Sequence, residues 1–168
     1  VQTPTLVKSS GGGDAAVALL LAALGAGSMV TALVLTPAIH RWGERRLMVG
    51  GAWLATAALG AVAWLLSLGM VSQILLAAAW FLVGAGWSAA ETPVGRILRR
   101  EVPSESLPTA FAAQFSLSHA CWLVGYPLAG WLGAATAAAV LAVVAVAGSV
   151  AAQAWWPASR PVPSEVTS

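Results

Sequence analysis

The stretch that decides the fold class reads AAVALLLAALGAGSMVTALVLTPAI over residues 15–39, HRWGERR over 40–46 and LMVGGAWLATAALGAVAWLLSL over 47–68. Two apolar runs, neither of which contains an Asp, Glu, Lys or Arg, flank a short charged segment. The hydrocarbon core of a bilayer is about 30 Å thick and needs roughly 20 apolar residues in a helix to cross it. Each run therefore predicts a membrane-spanning helix, and the charged segment predicts a loop between them.

Three further apolar runs follow along the chain, at 73–90, 109–129 and 134–156. Of the 168 residues, 59% are hydrophobic and only 8% are charged, whereas a soluble domain has about 25% charged residues. We therefore expect an all-α membrane protein of about five transmembrane helices over 15–156. An extracytoplasmic loop is predicted at 1–14 and a disordered cytoplasmic tail at 157–168, which is rich in Pro and Ser.

The composition also excludes several classes of protein. The net charge is only +2, and no basic face is available for a nucleic acid. The single cysteine, Cys121, excludes an internal disulfide framework and a Cys-rich metal site. We expect neither a cofactor nor a bound metal.

The loop charges predict the orientation in the membrane. If the loops alternate across the bilayer, seven of the eight Lys and Arg residues fall on one side and only Lys8 falls on the other. Cytoplasmic loops carry an excess of Lys and Arg, so the arginine-rich side is predicted to be cytoplasmic. The N-terminus is then outside and the C-terminus inside, and we expect the chain in an inner (plasma) membrane.

Polar residues are unusually dense in the fourth run. Gln114, Ser118 and Cys121 fall on one helical face, with His119 beside it, and Tyr126 follows in the same run. Polar groups within a membrane are costly unless a neighbouring helix or a water-filled cavity satisfies them. His119 is therefore a candidate proton carrier or substrate ligand, together with Gln114, Ser118 and Tyr126. The alternative is a neutral histidine bonded to a backbone carbonyl or a serine of a packed helix.

The polar residues of the fourth run also bear on whether the chain is an intramembrane enzyme. An intramembrane protease would place paired Asp residues, or a Ser and a His on different helices, within the membrane. No apolar run contains an Asp, and Ser116 and Ser118 are too close in sequence to His119 for that arrangement. The chain is therefore not expected to be an enzyme. A non-catalytic multi-pass membrane subunit or scaffold remains an alternative.

The segment around Gly43 resembles a known signature. Arg41, Gly43 and Arg45, followed by Arg46, resemble the loop Gly-x-x-x-Asp-Arg-x-Gly-Arg-Arg of the major facilitator superfamily. The sequence departs from that pattern at Thr36, His40 and Glu44, which replace Gly, Asp and Arg. The resemblance implies a gating role on the cytoplasmic side for this loop, together with Glu91 and Arg96. Anchoring of the arginines to helix carbonyls or anionic lipid headgroups is the alternative. For Glu91, the alternative is a salt bridge to Arg96 or to the arginine-rich loop.

A second resemblance covers residues 92–133, and includes the stretches Ala110–Phe115 and Tyr126–Gly133. These are similar to the tenth and eleventh helices, and the loop between them, of bacterial superfamily members of the drug-efflux type. The five runs would then be helices eight to twelve of a twelve-helix bundle. The resemblance implies a secondary transporter that moves a small organic solute by alternating access, with proton-coupled efflux. Its partners would be the lipid bilayer, the solute and the N-terminal half of the same protein, and we expect the chain to begin in a loop of that larger protein.

Overall fold

The computed structural model describes residues 3–9, 11–70, 72–132 and 134–155, and the predicted tail at 157–168 lies outside these residues. Every regular element in the described part is helical. A 3-10 turn at Ser104–Ser106 leads into the sixth of seven α-helices. The helices are α1 (Thr3–Ser9), α2 (Asp14–Trp42), α3 (Glu44–Ser67), α4 (Gln73–Glu91), α5 (Val94–Glu101), α6 (Leu107–Trp131) and α7 (Ala134–Trp155).

Three helical stretches are long and apolar enough to cross a membrane: Asp14–Trp42, Glu44–Ser67 and Gln73–Glu101. The third combines α4 with α5. Ala139–Trp155, within α7, is a shorter apolar helix. Helix α6 is long enough at 25 residues, but its Gln, Ser and His side chains lower its mean hydropathy. The five long helices occupy the five predicted runs, and the chain is an all-helical membrane protein.

The predicted loop at 40–46 is the clearest difference from the sequence-based expectation. Helix α2 continues to Trp42 and α3 begins at Glu44, so only Gly43 connects them. The N–H of Gly43 donates to the carbonyl of Ile39 at 2.8 Å, and its φ of +80° is a backbone conformation that favours glycine. Arg41 in the last turn of α2 and Glu44 in the first turn of α3 have the charges that helix dipoles favour at those ends. The charged residues therefore extend two helices instead of forming a loop.

Part of the predicted loop at 1–14 is also helical. Helix α1 buries Leu6 and Val7, and Val7 belongs to a core cluster with Leu20, Val62 and Leu76. The indole N–H of Trp80 donates to the hydroxyl of Thr3 at 3.2 Å. Helix α1 thus covers one end of the bundle.

Glycine residues set the packing of the three central helices, since α4 lies against both α2 and α3. A Cβ on Gly27 would collide with the backbone of Phe81, and a Cβ on Gly51 would lie 2.5 Å from the carbonyl oxygen of Gly86. Ser28 donates across the first of these crossings to the carbonyl of Gly84 at 3.0 Å. Small residues allow such close backbone approach, which drives helix association in lipid.

Helices α6 and α7 are arranged differently around this unit. Helix α7 packs along α3, whereas α6 has few close contacts with the other helices, mainly with α5, the 3-10 turn and α7. None of the described residues of α6 is buried. Helix α6 therefore forms one side of the bundle and is separated from α3 and α4 by side chains and open space.

Candidate functional site

One end of the bundle, which we call the arginine end, brings together the start of α3, the end of α4, α5, the start of α6 and the end of α7. Three contacts define it: Glu44 of α3 pairs with α5, Arg45 of α3 donates to the carbonyl of Gln153 in α7 at 3.2 Å, and Gln114 of α6 bonds with Glu91 of α4. These contacts link α3 to α5 and α7, and α4 to α6.

Glu44 is the centre of the charge cluster at this end. Its Oε1 lies 3.4 Å from Nε of Arg96, and its Oε2 lies 2.8 Å from Nη1 of Arg100. Arg100 also contacts Glu101 through Nε at 2.9 Å. The Glu44 side chain is only 12% exposed, whereas those of Arg96 and Arg100 are 48% and 58% exposed. A largely buried carboxylate needs paired cations, and the two arginines supply them.

Helix geometry explains why one carboxylate binds two arginines. Arg96 and Arg100 are four residues apart in α5, so they project from the same face of that helix. Helix α5 spans Val94–Glu101, so both arginines lie within regular helix. Glu44 was identified from the sequence only as a departure from the signature loop. The four-residue spacing of the arginines was the signal that an acidic partner should face them.

The other predicted gating residues are distributed along this end. Glu91 does not pair with Arg96, because its Oε1 accepts a hydrogen bond from Nε2 of Gln114 at 2.9 Å and Arg96 faces Glu44. Arg41 and Arg46 form no ion pair with any described residue. At the arginine end, Arg96 and Arg45 therefore bond to neighbouring helices, whereas Arg41 and Arg46 are exposed.

The candidate residues of α6 do not converge on one point. Gln114 is engaged with Glu91, and Ser118 donates to the carbonyl of Phe115 at 3.0 Å. Nδ1 of His119 lies 2.8 Å from that same carbonyl, so a proton on Nδ1 completes a hydrogen bond and leaves Nε2 as the free acceptor. The imidazole is exposed on the side of α6.

Aromatic rings continue along the same side of α6. The ring of His119 stacks on Phe115 with centroids 3.8 Å apart and lies 5.5 Å from Trp122. Trp122 in turn contacts Tyr126 at 5.5 Å and meets Trp87 of α4 edge to face at 5.7 Å. The Trp87–Trp122 contact connects α6 to the central helices.

Two cavities lie between the helices, and Trp87 lines both. The first, of about 380 Å³, is bounded by α3, α4, α6 and α7, and includes Trp122 and Tyr126 in its wall. The second, of about 350 Å³, lies between α3, α4 and α7 and extends to Glu91. Among the described residues, no three His, Cys, Asp or Glu side chains come together as metal ligands would.

Comparison with known proteins identifies the family. No curated protein matches the chain. No solved structure matches it either. The family model of the Major Facilitator Superfamily matches residues 1–168. Together with the glycine-packed apolar helices and the charged arginine end, this match over the whole sequence shows that the chain belongs to the Major Facilitator Superfamily, a family of membrane transporters.

Proposed function

We propose that the chain is the C-terminal part of a secondary active transporter that exports a small organic solute by alternating access in exchange for protons. Its five long helices would be helices eight to twelve, and the N-terminal half of the same protein would complete the central cavity. The observation that carries the proposal is the Glu44 cluster, which ties the start of α3 to α5 at the arginine end.

The charge distribution supports an orientation for this bundle. The described part of the arginine end contains Arg96, Arg99 and Arg100 as well as the three arginines flanking Gly43, whereas Lys8 lies at the opposite end. The positive-inside bias then places the arginine end in the cytoplasm of a bacterial cell and α1 outside the inner membrane.

The cluster has a mechanical consequence for alternating access. Helix α5 connects α4 to α6, and it is held to α3 by two arginines on one carboxylate. A rocking motion at this end would therefore carry α3, α4 and α6 together. Loss of the cluster would uncouple α5 from α3 while leaving the apolar packing of α2, α3 and α4 unchanged.

The test compares Glu44→Gln with Glu101→Gln in the full-length protein. Losing a partner of an exposed pair costs about 0.2–1 kcal/mol, and of a buried pair about 3–5 kcal/mol. Glu44 is largely buried but its arginines are half exposed, so an intermediate value of about 2 kcal/mol applies. We expect Glu44→Gln to lower the stability by about that amount and to slow transport, because α5 is no longer held to α3. Glu101→Gln removes a more exposed carboxylate from the same Arg100 and should change the rate less than about twofold.

Transport would be measured in everted membrane vesicles, with a panel of small organic compounds added and proton release reported by a pH-sensitive acridine dye. Equal rates for the two variants, at matched protein levels, would contradict the role of the Glu44 cluster. Absence of proton movement with any compound in the wild type, in vesicles that hold a proton gradient, would favour a membrane subunit without transport activity.

His119 supports proton coupling in this proposal. Histidine is the side chain whose ordinary pKa allows a charge change near neutral pH. The bond of Nδ1 to the Phe115 carbonyl fixes the ring orientation, and Nε2 is left to accept the transported proton. Gln114, Ser118 and Tyr126 remain candidate substrate ligands on the same helix.

A further inference from the structure

We infer that the first cavity, between α3, α4, α6 and α7, is a binding site for a neutral, planar aromatic molecule. Its volume of about 380 Å³ lies within the range of about 300–1,000 Å³ for small-molecule sites. The chain's own helices form its walls, and Thr3 and Leu6 of α1 line it as well. The inference concerns binding alone and does not depend on the transport activity proposed above.

The aromatic residues of the wall determine the shape of the ligand. Trp80, Trp87, Trp122 and Tyr126 all line the cavity. Trp122 meets Trp87 at an interplanar angle of 89° and Tyr126 at 56°, so the wall offers both ring faces and ring edges. A flat aromatic molecule can stack on one ring while meeting the edge of another, and aromatic pairs prefer these two arrangements. A flexible acyl chain would gain no comparable advantage.

The absence of charge determines the class of ligand. No Asp, Glu, Lys, Arg or His is among the described residues that line this cavity. An anion would be desolvated with no cation to pair with it, and the aromatic faces repel negative charge. A cation is attracted to aromatic faces but would lack a counter-ion. The indole N–H of Trp80 is already bonded to Thr3, so the neutral polar groups of the wall include the indole N–H groups of Trp87 and Trp122, the Tyr126 hydroxyl and the Cys121 thiol.

A glycine of α6 allows the cavity to be filled without disturbing the fold. Gly125 lines the cavity, and a Cβ added at this position would meet no neighbouring atom within 4 Å. Gly125→Leu would therefore place its side chain in the space that the ligand needs. Gly130 lies on the same helix and does not line the cavity, and a Cβ added there would also meet no neighbouring atom within 4 Å. Gly130→Leu is the matched control.

The experiment uses the full-length protein in lipid nanodiscs with aminoanthracene, a neutral planar fluorophore that brightens in apolar surroundings. We expect saturable fluorescence in the wild type and in Gly130→Leu, and at least tenfold weaker binding in Gly125→Leu. Anthracene carboxylate should displace the probe at least tenfold less effectively than anthracene. Because no gradient is applied, a transport failure leaves this result unaffected.

Three outcomes would overturn the inference. Fluorescence that rises without saturation in the wild type would show partition into lipid only. Equal binding by the two leucine variants would place the probe outside the cavity. Displacement by hexadecanol as effective as that by anthracene would assign the cavity to acyl chains.

Discussion

The crossing of α2 and α4 allows a stability prediction with a control two residues away in the same helix. A Cβ on Gly27 would lie on the carbonyl of Phe81 and 3.0 Å from the amide nitrogen of Ala85. Both are backbone atoms, so they cannot relieve the clash by a change of rotamer as a flexible side chain can. A Cβ on Gly25 would meet nothing within 4 Å. Gly27→Ala should therefore force the two helices apart, and Gly25→Ala should not.

The expected difference follows from two terms. Overpacking a tight site costs about 1–3 kcal/mol. Because the Phe81 backbone cannot move aside, we expect the overpacking by Gly27→Ala to cost about 3 kcal/mol, the upper end of that range. Alanine also favours a helix over glycine by about 1 kcal/mol, and this gain is common to both variants. Gly27→Ala should thus lose about 2 kcal/mol of stability and Gly25→Ala should gain up to about 1 kcal/mol. The difference of about 3 kcal/mol isolates the contact, because the propensity terms cancel.

The measurement is reversible unfolding in mixed micelles titrated with dodecyl sulfate, followed by tryptophan fluorescence, for which the chain has nine indoles. Both variants are compared with the wild type at the same lipid-to-detergent ratio. If the two alanine variants differ by less than about 0.5 kcal/mol, the close approach of α2 and α4 at Gly27 is refuted.

Three further predictions concern single side chains. Ser28→Ala removes the hydrogen bond to the Gly84 carbonyl and should cost about 0.6 kcal/mol in the same unfolding assay, a typical value for polar contacts between membrane helices. Arg45→Ala removes an exposed bond to the carbonyl of Gln153 and should cost less than about 1 kcal/mol, although the backbone amides at the end of α7 should exchange their hydrogens faster than in the wild type. His119→Ala should change the dependence of transport on pH, whereas an unaltered profile would exclude His119 as the coupling residue.

The helices could be predicted from the sequence because hydrocarbon permits few alternatives. A backbone without water must bond to itself, so a run such as 47–68 is helical wherever it lies in the bilayer. The ends were less predictable. The charged residues at 40–42 and 44–46 suggested a loop, but charge at helix ends also satisfies the helix dipole, and the structure places these residues in α2 and α3.

The candidate site was less predictable, because its contacts join residues far apart in the sequence. Glu44 and Arg100 are separated by 56 positions, and Gln114 and Glu91 by 23. The sequence singled out Arg96 but did not indicate that Glu44 is the carboxylate that faces it. The stacking of His119 on Phe115 and Trp122 was also not predictable from the sequence, since stacking depends on side-chain rotamers.

The single-residue connection at Gly43 has a consequence for orientation in the membrane. Two helices of 29 and 24 residues are joined by one residue, so α2 and α3 form a helix–turn–helix unit whose two arms cross the bilayer in opposite directions. Its tip carries Arg41, Glu44, Arg45 and Arg46. Each charge carried through the bilayer centre costs about 2.5–3.5 kcal/mol, or about 10 kcal/mol for the tip. Moving the tip from one side of the bilayer to the other is therefore unfavourable, so this one turn holds α2 and α3 in a fixed direction once they span the membrane.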